Sequence, residues 1–495
     1  MHQVPSMFSH PKEDLVAGTV VFLVAVPLCL GIAVACGVPP ISGLIAGIAG
    51  GLFVPWISRS ALSVTGPAAG LTSIVLAEVA GLGGLAPFLT SVIIAGLVQV
   101  VLGVLKTGRF TTLVPSAVIK GMLAAIGITI VWKQLPVAFG SAGSVADIPS
   151  QLHQGAMVMA AVALVILYGW KHTPLARIKM LSPALAAVLV TGVLAQLLSS
   201  MPGMALSNEH FVNVPLGGLS ALMVAVPRPD MTAFVRPDVW LSGVTIAIVA
   251  SLETLLSLQA VDRLDPRKRH SPPDRELVAQ GVANTLSGLL GGLPVTAVIV
   301  RSGANVSAGA VERMSALVHG VLLLVAVLFA GSVLNMIPLA CLAAVLIQVG
   351  LNLCRPALVA TQIRLGMTQL LPFALTVIAV LALDLLRGVI LGIIVGVGFV
   401  LFENSKRAVV ADRDTSGVLR VRFRRDGTFV SKPGIVSALD EVGDGDRVVI
   451  DGTDEYIDHD VKEVLATFAQ DAKRRNIAVQ IVGIDMTHAH GGGGH

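Results

Sequence analysis

Two stretches, SVTGPAAGLTS (63–73) and GGLPVTAVIVRSGANVSAG (291–309), decide how this chain is organised. Both interrupt apolar segments with glycine, proline or β-branched residues. Gly66-Pro67 cannot continue a helix inward, because proline lacks an N–H and restricts the residue before it, but proline suits a first helical turn. We therefore expect an extended stretch followed by a helix that begins near Gly66. After the strand-like run VTAVIV, we expect a second half-helix that begins at Ser302.

The composition around these stretches is that of an integral membrane protein. The 495 residues are 54% hydrophobic and 13% charged, with a mean hydropathy of +0.84. Soluble domains carry about 25% charged residues, so a water-soluble globule, a disordered chain and a fibrous protein are excluded. The net charge of +4 comes without a basic stripe, which argues against a nucleic-acid partner. The cysteines lie in or beside apolar segments and are interpreted as buried small residues without disulfides: Cys29, Cys36, Cys341 and Cys354.

Fourteen apolar segments can be delimited before residue 404. They lie at 15–36, 40–57, 66–80, 86–105, 115–132, 155–170, 181–199, 240–258, 277–291, 302–312, 314–334, 336–353, 369–386 and 388–403. A spanning helix needs about 20 apolar residues, so several segments are too short to cross alone. Each of the two interrupted stretches, 63–73 and 291–309, is the third segment of a set of seven. Because seven is odd, the second set of segments enters the membrane from the opposite side. The pattern predicts an inverted repeat, and lysine and arginine in alternate loops place both termini in the cytoplasm.

Charged residues within these apolar segments indicate a transport site, because burying charge in a membrane costs free energy. Paired broken helices point to a binding site near the middle of the membrane, and two facing helix N-termini favour an anion. Arg301 adds a full charge there; the alternative is a structural arginine that caps carbonyls or pairs with a carboxylate. Glu253, with Ser257 one turn later, is a ligand for a coupling Na⁺, a proton carrier or the partner of Arg301.

Other polar residues and motifs carry less weight. Asn284 and Asn305 are expected to bond between helices, and Glu78 to lie at the membrane interface. His319 is expected to be a satisfied core or interfacial histidine rather than a proton relay. There is no Walker-type loop, nucleophile–base motif or His/Cys metal cluster in the folded parts of the sequence. The sequence therefore predicts neither an enzyme nor an ATP-driven pump, and no resident cofactor.

After about residue 405 the sequence becomes charged. Three strand-like runs (418–423, 447–451 and 478–484) alternate with helical runs at 432–442 and 460–475, which is typical of a small sheet covered by helices. We divide the chain into a cytoplasmic N-terminal segment, a membrane domain, a cytoplasmic α/β domain and a flexible tail, at 1–14, 15–404, 405–485 and 486–495.

Four stretches resemble the SulP anion transporters, which are the solute carrier family twenty-six of animals. They are VPLCLGIAVACGVPPISGLIAG (26–47), VTGPAAGLTSIV (64–75), the run 251–310, and the C-terminal domain, which is similar to a STAS domain. The resemblance implies two inverted repeats of seven segments, divided into a core and a gate domain, with elevator-like motion of the core. It also implies a homodimer with its STAS domains in the cytoplasm.

Carried over residue by residue, the resemblance implies an anion site at the starts of the third and tenth segments, formed by Ala68, Ala69, Arg301 and Ser302. Glu253 and Ser257 fall where sodium-coupled bicarbonate members have an acidic residue and a hydroxyl. The resemblance thus implies an Na⁺ site there, although glutamate in place of aspartate could equally serve H⁺. Two departures stand out: Leu28 replaces a glutamine near the anion, and the run 456–460 lacks the phosphorylatable serine of the anti-sigma antagonists.

The loop DRLDPRKRHSPPDREL and the run PVTAVIVRS resemble bacterial members associated with bicarbonate uptake and with carbonic anhydrase partners. Small apolar residues around one arginine also suit a compact anion. We expect an inner-membrane bicarbonate symporter coupled to Na⁺ or H⁺. Its alternatives are a proton-coupled sulfate or dicarboxylate transporter, an uncoupled anion channel, and a sensor that works through the STAS-like domain. A nucleobase carrier is disfavoured by Arg301.

Overall fold

The computed structural model describes residues 7–108, 115–141, 143–174, 182–216, 218–383, 385–406, 409–414, 417–424 and 426–486. These residues form two compact units. The first contains the residues up to Arg364 together with Phe373–Leu391, and the second contains Leu365–Pro372 and the residues from Gly392 onward. The predicted tail, apart from Met486, lies outside the described residues.

Helices dominate the chain before residue 409. They are α1 (Pro11–Ala35), α2 (Pro40–Ile57), α3 (Thr72–Gly81), α4 (Leu85–Val104), α5 (Ser116–Ala138), α6 (Gln154–Gly169), α7 (Pro183–Leu197), α8 (Gly218–Ala225), α9 (Pro237–Leu264), α10 (Pro273–Leu289), α11 (Ile299–Ser307), α12 (Met314–Phe329), α13 (Gly331–Leu334), α14 (Leu339–Leu353), α15 (Pro356–Arg364), α16 (Met367–Ala382) and α17 (Leu385–Lys406). Among the described residues, eight helices are long and apolar enough to cross a membrane. Every predicted apolar segment contains or overlaps a helix, whereas α8 and α15 were not predicted because both are far shorter than a span.

Small residues let the helices of the first unit approach closely. A methyl group at Gly281 of α10 would lie 2.6 Å from the carbonyl oxygen of Gly96 on α4. A methyl group at Gly320 of α12 would lie 2.6 Å from the backbone carbon of Gly51 on α2. Glycine at such crossings is the usual means of close packing in membranes. These two crossings hold α2, α4, α10 and α12 around the broken stretches.

The broken stretches form a two-stranded antiparallel sheet, β1 (Thr65–Pro67) with β2 (Val295–Ala297), in which Gly66 lies opposite Thr296. The predicted helix start near Gly66 is wrong, because Gly66 and Pro67 are paired in β1 and a 3₁₀ turn begins only at Ala69. The predicted start at Ser302 is wrong too. α11 begins at Ile299, and the N–H of Ser302 already donates to the carbonyl oxygen of Val298 at 3.0 Å.

The second unit contains a four-stranded sheet in the order β3-β4-β5-β6, formed by β3 (Val409–Arg413), β4 (Leu419–Phe423), β5 (Arg447–Asp451) and β6 (Ala478–Val482). β3 is antiparallel to β4, and β4, β5 and β6 are parallel. Helices α18 (Lys432–Asp440) and α19 (His459–Arg474) pack on the sheet through Ile435, Leu439, Val461 and Leu465. The three predicted strands and two predicted helices are confirmed, whereas β3 was missed.

Candidate functional site

A small cavity of about 70 Å³ lies where the two broken stretches turn into helices. Its walls include Ala69 and Gly70 of the 3₁₀ turn before α3, the first turn of α11, and Glu253 and Ser257 of α9. Apolar side chains of α1, α5 and α14 complete it: Leu28, Ile32, Met122, Leu123, Ile126, Val349 and Leu353. The cavity therefore brings together two helix N-termini, one arginine and one carboxylate, and its other walls are apolar.

Four of the six predicted site residues line this cavity: Ala69, Glu253, Ser257 and Arg301. Ala68 and Ser302 are buried beside it. The Ser302 hydroxyl accepts from the backbone N–H of Val64 at 2.9 Å and donates to the carbonyl oxygen of Val298 at 2.8 Å. Its hydrogen-bonding capacity serves to join β1 to α11, so Ser302 supports the site from behind.

Arg301 is the largest fully buried side chain of the described residues. Its guanidinium lies against the backbone of β1, since a methyl group at Gly66 would be 2.0 Å from Nη1. Within the described part of the chain, no carbonyl or carboxylate oxygen accepts from Nε, Nη1 or Nη2, and no ion pair with Glu253 is formed. The neutral thiol of Cys29 lies beside the guanidinium. Neither structural alternative, carbonyl capping or carboxylate pairing, is supported. A full positive charge is left uncompensated at the edge of the cavity.

Glu253 has a different partner from the one considered in the sequence. Its carboxylate lies against Gly70, where a methyl group would be 2.7 Å from both oxygens, and it accepts a hydrogen bond from the Gly70 backbone N–H. Oε2 is covered and has no partner among the described residues. The carboxylate thus occupies part of the positive N-terminus that leads into α3.

His319 and Cys29 interact with Arg301, and the sequence analysis did not place either of them at the site. Both are fully buried, and the charge of Arg301 acts on both side chains. The expectation of a satisfied core histidine is wrong for the described residues, since neither ring nitrogen of His319 has a hydrogen-bond partner. No local pattern in the sequence marks this contact, because α1, α11 and α12 meet only in the folded chain.

Buried amides hold the paired strands in place. The Asn284 side chain accepts from the N–H of Val295 at 2.6 Å and donates to the carbonyl oxygen of the same residue at 3.0 Å. It also donates to Gln99 of α4 at 2.6 Å, which confirms the expected bond between helices. Asn305 donates to the carbonyl oxygen of Leu62 at 3.1 Å. These side chains fix the backbone from which Arg301 projects.

The family model described as the sulfate permease family matches residues 12–376. The chain belongs to this family. Among curated relatives, YvdB of Bacillus subtilis (strain 168) is 26% identical over 499 residues, which span 96% of this chain and 91% of that protein. The bicarbonate transporter BicA of Picosynechococcus is 26% identical over 373 residues, which span 70% of this chain and 62% of BicA.

Solved structures show the same fold for this member of the sulfate permease family. The transmembrane domain of a cyanobacterial bicarbonate transporter BicA matches with a TM-score of 0.65 at 24% identity, over 79% of this chain and 98% of that one. The murine anion transporter Slc26a9 in its inward-facing state matches with a TM-score of 0.76 at 16% identity, over 97% of this chain and 87% of that one. The resemblance to the SulP family is confirmed. The chain is an integral membrane protein and an anion transporter of this family.

Proposed function

We propose that this chain is a secondary active transporter of a small inorganic anion, with bicarbonate as its substrate. The observation that carries the proposal is the uncompensated Arg301 guanidinium beside a cavity at two helix N-termini. A buried charge without a partner is costly, and an anion in the cavity would supply the missing counter-charge. The small volume and apolar walls favour a compact anion, and the relationship to BicA supports bicarbonate.

In the proposed complex, the anion accepts hydrogen bonds from the backbone around Ala68 and Ala69 and from the first turn of α11. Arg301 supplies the field from behind β1, and Ser302 keeps α11 in register with β1. Among the described residues that line the cavity, Arg301 is the single arginine, so the bound anion can be released.

Coupling would run through Glu253 and Ser257. The Glu253 carboxylate shares the positive end of the α3 segment with the incoming anion, so two negative charges compete for one field. A proton or Na⁺ at Glu253 removes that competition and therefore raises the affinity for the anion. The Ser257 hydroxyl, one turn along α9, is positioned as an additional oxygen ligand for Na⁺.

The finer architecture belongs to the same proposal. It comprises two inverted repeats of seven segments, a core that moves past a gate, a STAS domain after residue 405, and a homodimer in the inner membrane with both termini in the cytoplasm. A carbonic anhydrase that supplies or consumes bicarbonate at the membrane is a further proposed partner. The antiparallel β1–β2 pair supports the repeat, because it joins equivalent elements of the two halves with opposite directions.

Sulfate is the second candidate substrate, and it is favoured by the description of the family as sulfate permeases. Tracer uptake into proteoliposomes separates the two, with labelled bicarbonate or sulfate and an inward Na⁺ gradient, an inward H⁺ gradient or none. We expect bicarbonate uptake that rises with one cation gradient and is lost in Arg301→Ala. Arg228→Ala is the matched control, because Arg228 is exposed and does not line the cavity. Large flux without gradient dependence would indicate an uncoupled channel.

A further inference from the structure

A second and larger cavity adjoins the proposed anion site. Its volume is about 630 Å³, and it is lined by α3, α5, the first half of α9, and the chain from the end of α16 into α17. Leu241 and Thr245 of α9 lie in its wall, two to three turns before Glu253. The cavity is therefore reached by moving along α9 away from the loop that joins α9 to α10.

The two cavities follow the same helix faces. Ile126 of α5 lines both of them, and Thr129 and Lys133 continue its face of the helix into the larger one. On the α3 side, Gly70 lines the smaller cavity and Ser73 the larger. Ile126 thus stands between a wide vestibule and the site at Arg301.

The vestibule has an available positive charge. Lys133 is half-buried, and within the described part of the chain its ammonium has no hydrogen bond or ion pair. Glu78 and Arg387 also line the vestibule, and Glu78 forms no ion pair with Lys133 among the described residues. Ser73, Thr129 and Thr245 line the same space. The Thr129 hydroxyl already donates to the carbonyl oxygen of Ala125 at 3.0 Å, so Ser73 and Thr245 are the residues whose hydroxyls remain for an anion held by Lys133.

We propose that this vestibule is a capture site in which Lys133 binds the small inorganic anion before it passes Ile126. The assignment rests on the proposed function and adds a second, weaker site to it. Low-dielectric walls focus the field of a charge and raise the local concentration of counter-ions. Arg387 adds a second positive charge to the lining, and the Glu78 carboxylate opposes both cations. The anion is therefore attracted but not trapped, as conduction through successive sites requires.

Charge-dependent cysteine labelling tests the site without any transport. Thr129→Cys is introduced together with Cys354→Ser into the full chain; Cys354 is the partly exposed native cysteine, and the other three are buried. The measured quantity is the ratio of labelling rates for an anionic and a cationic methanethiosulfonate reagent. Residues four apart on a helix have Cβ atoms about 6 Å apart, so removing the charge in Lys133→Gln should lower this ratio about tenfold.

Three further variants test whether the charges of the vestibule set the labelling ratio. Lys133→Arg should keep the ratio, Glu78→Gln should raise it, and Arg228→Gln should leave it unchanged because Arg228 lies outside the vestibule. An unlabelled Thr129→Cys would show that the vestibule is closed to small anions, and a ratio that ignores Lys133→Gln would show that this lysine does not set its potential. Either result overturns the proposal.

Transport kinetics give the second test. Lys133→Gln should raise the KM for the transported anion about three- to tenfold with an unchanged maximal rate, and the difference should shrink at high ionic strength. A changed maximal rate with an unchanged KM would contradict capture. If the chain carries neither bicarbonate nor sulfate, the proposed function fails, whereas the labelling ratios still decide whether the vestibule attracts anions.

Discussion

Replacing Gly66 by alanine tests the placement of Arg301 most directly. The added methyl group would lie 2.0 Å from Nη1, while ordinary contact begins near 3.4 Å, so the guanidinium must move by about 1.4 Å (3.4 − 2.0). At an effective dielectric constant of 20, a charge about 4 Å from a monovalent anion contributes about 4 kcal/mol, and about 3 kcal/mol after that displacement. Anion affinity should therefore fall about sixfold from electrostatics alone. If the displaced guanidinium also disturbs the β1–β2 pair, uptake should fall by more than this factor.

Uptake and thermal unfolding are measured on the same purified Gly66→Ala chain in proteoliposomes and detergent. Gly303→Ala is the matched control, because Gly303 lies in α11 two residues after Arg301 and its methyl group would meet nothing within 4 Å. That control should transport normally, and it should be slightly more stable, because alanine is favoured over glycine in a helix. Normal affinity in Gly66→Ala would refute the idea that the buried guanidinium determines binding.

Four further outcomes are expected. Glu253→Gln should retain anion binding but lose the dependence of uptake on the cation gradient, measured with and without that gradient. His319→Leu should keep or raise the Tm, because it removes two unpartnered ring nitrogens from the core; a large fall in Tm would show that the ring has partners. Asn284→Ala should destabilise the chain by about 2 kcal/mol, because the β2 backbone is left unpaired, and denaturant unfolding checks this loss. In the C-terminal sheet, the Arg413 guanidinium beside Asp446 holds the pKa of that carboxyl below 3.8. This stabilisation is present above the unfolded pKa and is lost as the pH falls through the lower folded value, so acid unfolding of the full chain should lose a component in Asp446→Asn.

The broken stretches could be predicted from the sequence because their causes are local. Proline at residue 67 and the β-branched run before Arg301 both disfavour a continuous helix locally. The starts of the helices could not be predicted as well. Ile299 looks like part of a strand, and it becomes helical because Ser302 is tied to both Val298 and Val64. A bond over more than 200 residues of chain leaves no mark in the local pattern.

Four residues that line the candidate site were named from the sequence, but their contacts were not. Charge inside apolar segments singles out Glu253 and Arg301, because membranes penalise such residues without a role. Which group each one faces depends on the crossing of distant helices. In the structure, the Glu253 carboxylate contacts the Gly70 backbone. The Arg301 guanidinium lies against Gly66, beside His319 and Cys29. Glycine at both contact points was visible in the sequence, but its purpose was visible only in the fold.

The separation of the two charges makes coupling physically reasonable. If Glu253 neutralised Arg301, an entering anion would have to break that pair, and a cation at Glu253 would compete with Arg301. Because no ion pair joins them among the described residues, in the proposed mechanism Arg301 attracts the anion at all times, while the Glu253 carboxylate opposes it from the neighbouring helix end. Neutralising Glu253 then favours the anion, and the bound anion favours the cation by the same factor, as linkage requires. Two charged side chains that line one small cavity without forming an ion pair are therefore the arrangement that the proposed symport needs, whereas a closed ion pair would leave only a structural role.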